Sequence, residues 1–363
     1  MKSAKRKLLQ ERAEAELVVK TPLTERLLIE EIPIVMAGQV LCTTLGRGQF
    51  AQVAVDYAPQ SRVICHCFDV YQAQEVAAHC GAGEGKPIVN CAADFPEGPF
   101  ELVTIPVDPR GETELTRDLL QSGHDRLVDG GRLLSATSNS DDQWLHEEMR
   151  KLFDKVTRRP LKEGVVYLAT KSGPLKKHKN FECAFAFRDH ERLIHVVSRP
   201  GVFSHRSLDP GARALINTMA VREGDRILDI GCGSGTVSFA AAFRAGNVAI
   251  TAVDSHARAV ECTARGAKLN GLDNVTAVLN ADSETPEPGT FDLVLGNPPY
   301  YSDYRIAEIF LQGARRALKP GGKVLIVAKS HAWYDNRMPE LFETVQSHLH
   351  KQYTVVEGTQ PRS

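Results

Sequence analysis

The apolar positions of this chain fall into short runs that stop at a glycine, an acid or an amide. Residues 226–230 run into Gly231-Cys232-Gly233-Ser234-Gly235, and residues 249–253 run into Asp254. Residues 275–280 lead to Asp282, and residues 291–296 lead to Asn297-Pro298-Pro299-Tyr300. Such runs read as buried parallel strands. Residues 212–220 read as a helix that Asp209 caps, with Pro210 in its first turn. Residues 306–311 carry an apolar face at helical spacing. A strand is expected over 323–328, a last helix over 339–349 and a terminal strand over 353–356. Strands alternating with helices make the fold class α/β.

Four candidate sites stand at four successive strand ends, and ligands of open α/β sheets bind at those ends. Glycines after the first strand permit positive φ and let a ligand approach the main chain. Asp254 follows Gly235 by 19 residues, where an acid accepts hydrogen bonds from both ribose hydroxyls of a nucleoside. The spacing Gly-x-Gly-x-Gly differs from the dinucleotide fingerprint Gly-x-Gly-x-x-Gly, which disfavours a nicotinamide enzyme.

The pattern occurs twice. Residues 40–50 parallel the glycine-loop segment, with Gly46 against Gly231 and Gly48 against Gly233. Residues 61–69 parallel the Asp254 strand at the same offset of 185, which sets Asp69 against Asp254. Residues 99–106 and 128–134 parallel 290–297 and 319–325 at an offset of 191. Two steady offsets indicate duplication of a whole domain, 1–190 and 191–363, with Phe50 in place of Gly235. The first copy also has Ile105-Pro106-Val107-Asp108 in place of Asn-Pro-Pro-Tyr, so it is degenerate and Asp69 reads as a leftover surface acid.

At 363 residues the chain has room for two domains, and a net charge of −1 means that any nucleic-acid contact must use local patches. The polar N-terminus, with Lys2, Lys5, Arg6 and Lys7, is neither signal peptide nor membrane span, and a cytoplasmic protein is expected. Cys65-His66-Cys67 reads as a buried thiol pair with His66 on the other face, and no metal site is expected. Lys176-Lys177-His178-Lys179 reads as a solvated loop, with contact to a phosphate backbone as the alternative. Residues 181–187 alternate and read as an edge strand finishing the first sheet, and residues 193–197 as a strand leading into the second domain. His205, His256 and His331 have no partner spacing and read as surface residues, and Trp333-Tyr334 as core, rim or a stacking surface.

Asp229 to Gly235, with Asp254, Asp282 and Asn297 to Tyr300, resembles a class I S-adenosylmethionine-dependent methyltransferase. Asn-Pro-Pro-Tyr is similar to the tetrapeptide of enzymes that methylate exocyclic amines of nucleobases. The segment Pro200-Gly201-Val202-Phe203-Ser204 followed by Leu208-Asp209-x-Gly211 resembles the lead-in of two-domain ribosomal RNA guanine-N2 methyltransferases. That resemblance implies two tandem Rossmann-like domains, the N-terminal copy degenerate, and an antiparallel terminal strand. It implies S-adenosyl-L-methionine held by Asp229, Gly231, Cys232, Gly233, Gly235, Asp254 and Asp282, with Asn297 at the transferred methyl. Asn297, Pro298, Pro299 and Tyr300 become the catalytic set, and RNA, in or out of a ribosomal subunit, the partner. Tyr300-Tyr301-Ser302-Asp303 stands where the guanine-N2 group commonly carries Phe followed by His, which leaves adenine-N6 methylation of tRNA, rRNA or DNA open. A non-catalytic RNA-binding scaffold is the alternative of another class.

Overall fold

The computed structural model describes residues 21–281, 287–299 and 304–362. The basic N-terminal stretch, Asp282, and Tyr300 through Asp303 lie outside the described residues.

The first half comprises α1 (Leu23–Ile29), α2 (Ile32–Val35), β1 (Gln39–Thr43), α3 (Gln49–Tyr57), β2 (Arg62–Cys67), α4 (Val70–Cys80), β3 (Ile88–Cys91) and β4 (Phe100–Val107). It continues through α5 (Thr113–Arg126), β5 (Leu127–Thr137), α6 (Trp144–Arg150), β6 (Val156–Leu161) and β7 (Gly164–Thr170). A hairpin of β8 (Cys183–Asp189) and β9 (Arg192–Ser198) follows. The second half runs through α7 (Pro210–Thr218), β10 (Arg226–Ile230), α8 (Thr236–Arg244), β11 (Ala249–Asp254), α9 (Ala257–Leu269), β12 (Val275–Leu279) and β13 (Phe291–Gly296). It ends with α10 (Arg305–Ala317), β14 (Leu318–Ala328), α11 (Ala332–Leu341), β15 (Phe342–His350) and β16 (Tyr353–Pro361).

The two seven-stranded sheets have the same order, β3-β2-β1-β4-β5-β7-β6 and β12-β11-β10-β13-β14-β16-β15. Each is parallel except at its last two pairings, both antiparallel, which places β16 as expected. The architecture is α/β with two Rossmann-like domains. Apolar side chains cover both faces of each sheet, as parallel strands flanked by helices require.

Strand register revises the alignment of the two halves. Gln39 lies opposite Arg62 and Arg226 opposite Ala249, so both strands correspond at an offset of 187. Gly48 and Gly235 each precede a helix in left-handed conformation, with φ of 77° and 81°. The first copy therefore keeps the third glycine. Thr44 stands where the second copy has Gly231, and Cys67 stands where it has Asp254. Phe50 is a core residue of α3 and does not obstruct the loop. The offset of 191 holds for β4 and β13, since Phe100 pairs with Leu127 and Phe291 with Leu318.

Two further expectations are corrected. Strand β8 does not finish the first sheet, because among the described residues it pairs with β9 alone, and Phe187, Ile194 and Val196 pack into the core of the second domain. Arg244 of α8 anchors the hairpin through Asp189 at 2.9 Å. Residues 342–349 form a strand, not the end of a helix, since Phe342 through His350 pair with β16. Cys65 and Cys67 do lie together in the first core, with His66 on the opposite face against Phe68 and Phe95.

Candidate active site

Strand β10 ends in the glycine loop, β11 in Asp254, β12 just before Asn280 and Ala281, and β13 at Asn297. Since these strands are neighbours in the order β12-β11-β10-β13, their carboxyl ends form one row. A cavity of about 620 Å³ lies along it, lined from these strands by Gly231, Gly233, Asp254, Asn280, Asn297 and Pro299. The volume is that of a small-molecule site.

The loop is held from behind. The amides of Gly231 and Cys232 both donate to the Val253 carbonyl, at 2.8 and 3.0 Å. A Cβ at Gly235 would run into the Phe239 ring, whereas one at Gly233 would meet nothing within 4 Å. The second position is the one that faces open space. Cys232, Gly235, Asp229 and Pro298 do not line the cavity. Cys232 is buried beside Thr263, and burial pushes its thiol well up, which suits a loop filler. Asp229 lies under the loop and accepts the Ser238 hydroxyl at 2.6 Å. Burial pushes its carboxyl up to about 6. Asp254 accepts the amides of Gly233 and His256, each at 2.9 Å, and burial pushes it too up to about 6.

At the other end of the row, the Asn297 amide nitrogen donates to Asp209 Oδ2 at 2.9 Å. The same oxygen accepts the Ala212 amide at 2.9 Å and so caps α7. The cap was legible in the sequence, but the contact with Asn297 was not, because 88 residues separate the two.

Residues 193–357 match the methyltransferase small domain family. In the stretch so matched lie the glycine loop, Asp254 and Asn297. Among curated proteins, the chain is 31% identical over 175 residues to ribosomal RNA small subunit methyltransferase C of Salmonella gallinarum, covering 47% of this chain and 51% of that one. It is 35% identical over 153 residues to the protein of the same name from Salmonella paratyphi B, covering 41% and 44%. The chain thus matches about half the length of these relatives. The solved T. thermophilus 16S rRNA N2 G1207 methyltransferase (RsmC), in complex with AdoMet and guanosine, superposes with a TM-score of 0.79 over 93% of this chain and 92% of that one. At 21% identity this likeness concerns the fold, and it extends over both domains.

Sequence reasoning missed the first domain's share of the cavity. Asp69 and Tyr71 line it beside Ser255 and His256, and Asp69 accepts the Ser255 hydroxyl at 2.5 Å. Asp69 is therefore not a leftover surface acid. His256 is half-buried and stacks on Phe68, and His205 is buried between Ser198 and the Phe181 carbonyl, so neither is a surface residue. Exposed His331 pairs with Asp335, and Trp333 stacks on Tyr304 beside buried Tyr334. Among the described residues no group of three or more metal-ligating side chains occurs, and no helix is long and apolar enough to cross a membrane.

Proposed function

We propose that the chain transfers a methyl group from S-adenosyl-L-methionine to the exocyclic N2 of a guanine in small-subunit ribosomal RNA. One observation carries this reading: a single cavity unites the glycine loop, the Asp254 carboxylate and the Asn297 amide at adjacent strand ends. The activities for which the relatives are named point the same way. A cytoplasmic location and an origin by duplication of one ancestral domain belong to the same reading. So does the division into a degenerate first unit and a catalytic second one, the hairpin from Cys183 belonging to the second.

The residues fit the donor. Gly233 leaves the loop open on the cavity side, and Asp254 presents a carboxylate where ribose hydroxyls would lie. Asp229 and the amides of Gly231 and Cys232 brace the loop from below, and Gly235 turns it into α8. Asp282, outside the described residues, is assigned the adenine amino group. Bound S-adenosylmethionine supplies a methyl already activated by the sulfonium charge.

The protein's task is then to prepare the acceptor. An exocyclic amine shares its lone pair with the ring and must pyramidalise to attack. The Asn297 side-chain oxygen accepts one N–H, favouring the pyramidal form and aiming the lone pair at the methyl. The Pro298 carbonyl, assigned the other N–H from the sequence, belongs to a buried residue that does not line the cavity. Pro298 and Pro299 fix φ and stiffen this segment. Tyr300, outside the described residues, is assigned the face of a base drawn out of its stack. No strong base is required, because the nitrogen acidifies as it is methylated.

The test is Asn297→Ala with total ribosomal RNA as substrate. Turnover is expected to fall about 100-fold or more, with the affinity for S-adenosylhomocysteine nearly intact by calorimetry. Mass analysis of the wild-type product should give N2-methylguanosine. Wild-type turnover in the variant would remove the catalytic role of Asn297.

A further inference from the structure

We propose that Asp209 is a positioning residue that sets which end of the Asn297 amide faces the reaction. The inference rests on the reading of Asn297 as an acceptor for the substrate amine. An asparagine side chain carries a donor at one end and an acceptor at the other, and a half-turn about its last bond exchanges them. In the wrong orientation Asn297 would present N–H groups to the N–H groups of the substrate and would repel what it must bind. Nothing in Asn-Pro-Pro fixes that choice, since the prolines set the backbone and not the side-chain amide.

A neighbouring carboxylate does fix it. Asp209 Oδ2 lies 2.9 Å from Asn297 Nδ2, and a carboxylate accepts without donating. Turning the Asn297 amide over would set its oxygen against this carboxylate oxygen. The nitrogen is therefore held toward Asp209 and the oxygen belongs to the opposite side, on a residue that lines the cavity.

Asp209 is itself held. The same Oδ2 accepts the Ala212 amide at 2.9 Å, and Pro210 follows at the first helical position with its fixed φ. Helix α7 is rigidly placed, with Ala212, Leu215 and Ile216 in the core of the second domain. The N-terminus of that helix thus positions one oxygen atom, which in turn orients the amide at the end of β13. This gives the Leu208-Asp209-x-Gly211 segment a role in catalysis beyond capping a helix.

The two roles of Asp209 separate by substitution. Asp209→Ser keeps a good cap, but a hydroxyl donates as readily as it accepts and sits closer to its own backbone, so it does not specify the amide. Asp209→Asn supplies an oxygen that can take both hydrogen bonds of Oδ2 and serves as the conservative rescue. With total ribosomal RNA and radiolabelled S-adenosylmethionine, kcat of Asp209→Ser is expected to drop at least tenfold. Asp209→Asn should keep most of it. S-adenosylhomocysteine affinity and the melting temperature should stay close to wild type in both.

Near-wild-type kcat in Asp209→Ser, with turnover lost in Asn297→Ala, overturns the positioning role and leaves the role of Asn297 standing. Equal loss in Asp209→Asn and Asp209→Ser also overturns it, since the oxygen acceptor would then not be what matters. Undiminished turnover in Asn297→Ala removes the reading beneath both.

Discussion

Asp254 is a carboxyl whose burial outweighs the two amides it accepts, so it titrates near 6 and not in the usual carboxylate range. In the proposed role an ionised Asp254 would offer acceptors to both ribose hydroxyls, and a protonated one would lose part of that capacity. S-adenosylhomocysteine should therefore bind more tightly as the pH rises from about 5 to about 7, then level off. Calorimetry across that range checks this, and Asp254→Asn should flatten the profile. Asp229, pushed up in the same way, costs stability in the free protein once it ionises. Its folded pKa lies above its unfolded one, so its contribution to stability is present below about pH 4 and lost as the pH rises through about 6. Asp229→Asn keeps an acceptor for Ser238 without the charge. It should stabilise the free protein by about 1–2 kcal/mol at about pH 8 and by little at about pH 4, read by urea denaturation. At this scale what is local was legible. The glycine loop, Asp254, Asn297 and the Asp209 cap were legible because each follows or precedes a run of defined period. The Asp209–Asn297 contact, the share of Asp69 in the cavity and the burial of His205 were not, since each partner lies far away in the chain.

Among the elements, the first domain's loop is closed by a side chain of its own domain. The Glu25 carboxylate of α1 is fully buried and takes the hydrogen bonds of the loop. It accepts the Leu45 and Gly46 amides at 2.9 Å each, the Phe50 amide at 3.2 Å, and the Thr44 hydroxyl. A side chain of the protein thus fills the cradle that the second copy leaves open at Gly233. Glu25→Ala would remove the acceptor of four donors, of which the Thr44 hydroxyl and the Phe50 amide are buried, and is expected to cost about 3 kcal/mol, read by chemical denaturation. Glu25→Gln keeps one acceptor and should cost less. Glu25 could not be found by aligning loops, because it arrives from a helix 19 residues before Thr44. The repeat itself was legible, but its first offset slipped by two residues. Both copies place small residues two apart through the loop, and only strand register fixes which glycine matches which. Residues 342–349 failed for a different reason. Their sparse apolar positions suit an exposed edge strand as well as a helix, and pairing with β16 decides between them.

Across the whole molecule, the two domains meet at the strand ends where the second one builds its site. The Val70 amide donates to the Ser255 carbonyl at 2.8 Å, and the Ala257 amide to the Phe68 carbonyl at 2.7 Å. These residues correspond at the offset of 187, so the contact is a local two-fold between copies, with Asp69 bridged to His256 at its centre. Arg258 of α9 locks it and is 1% exposed. Its guanidinium donates to the Ala93 and Pro200 carbonyls at 2.9 Å each, pairs with Asp118 of α5 at 2.7 Å, and lies 4.4 Å from the centre of the Phe68 ring. A buried charge with every direction occupied is costly to break from one side, by about 3–5 kcal/mol. Arg258→Met should leave Asp118 and two carbonyls unmatched and loosen the junction without touching either core. Calorimetric unfolding, a single transition if the domains are coupled through this contact, should then separate into two. Because Ser255, His256, Asp69 and Tyr71 line the cavity from this junction, S-adenosylhomocysteine affinity should fall in the same variant. Intact affinity alongside split unfolding would mean that the first domain stabilises the second without shaping its site. A single transition with unchanged affinity would mean that the contacts of Arg199 with Asp94 and of Arg206 with Glu114 suffice to hold the halves together.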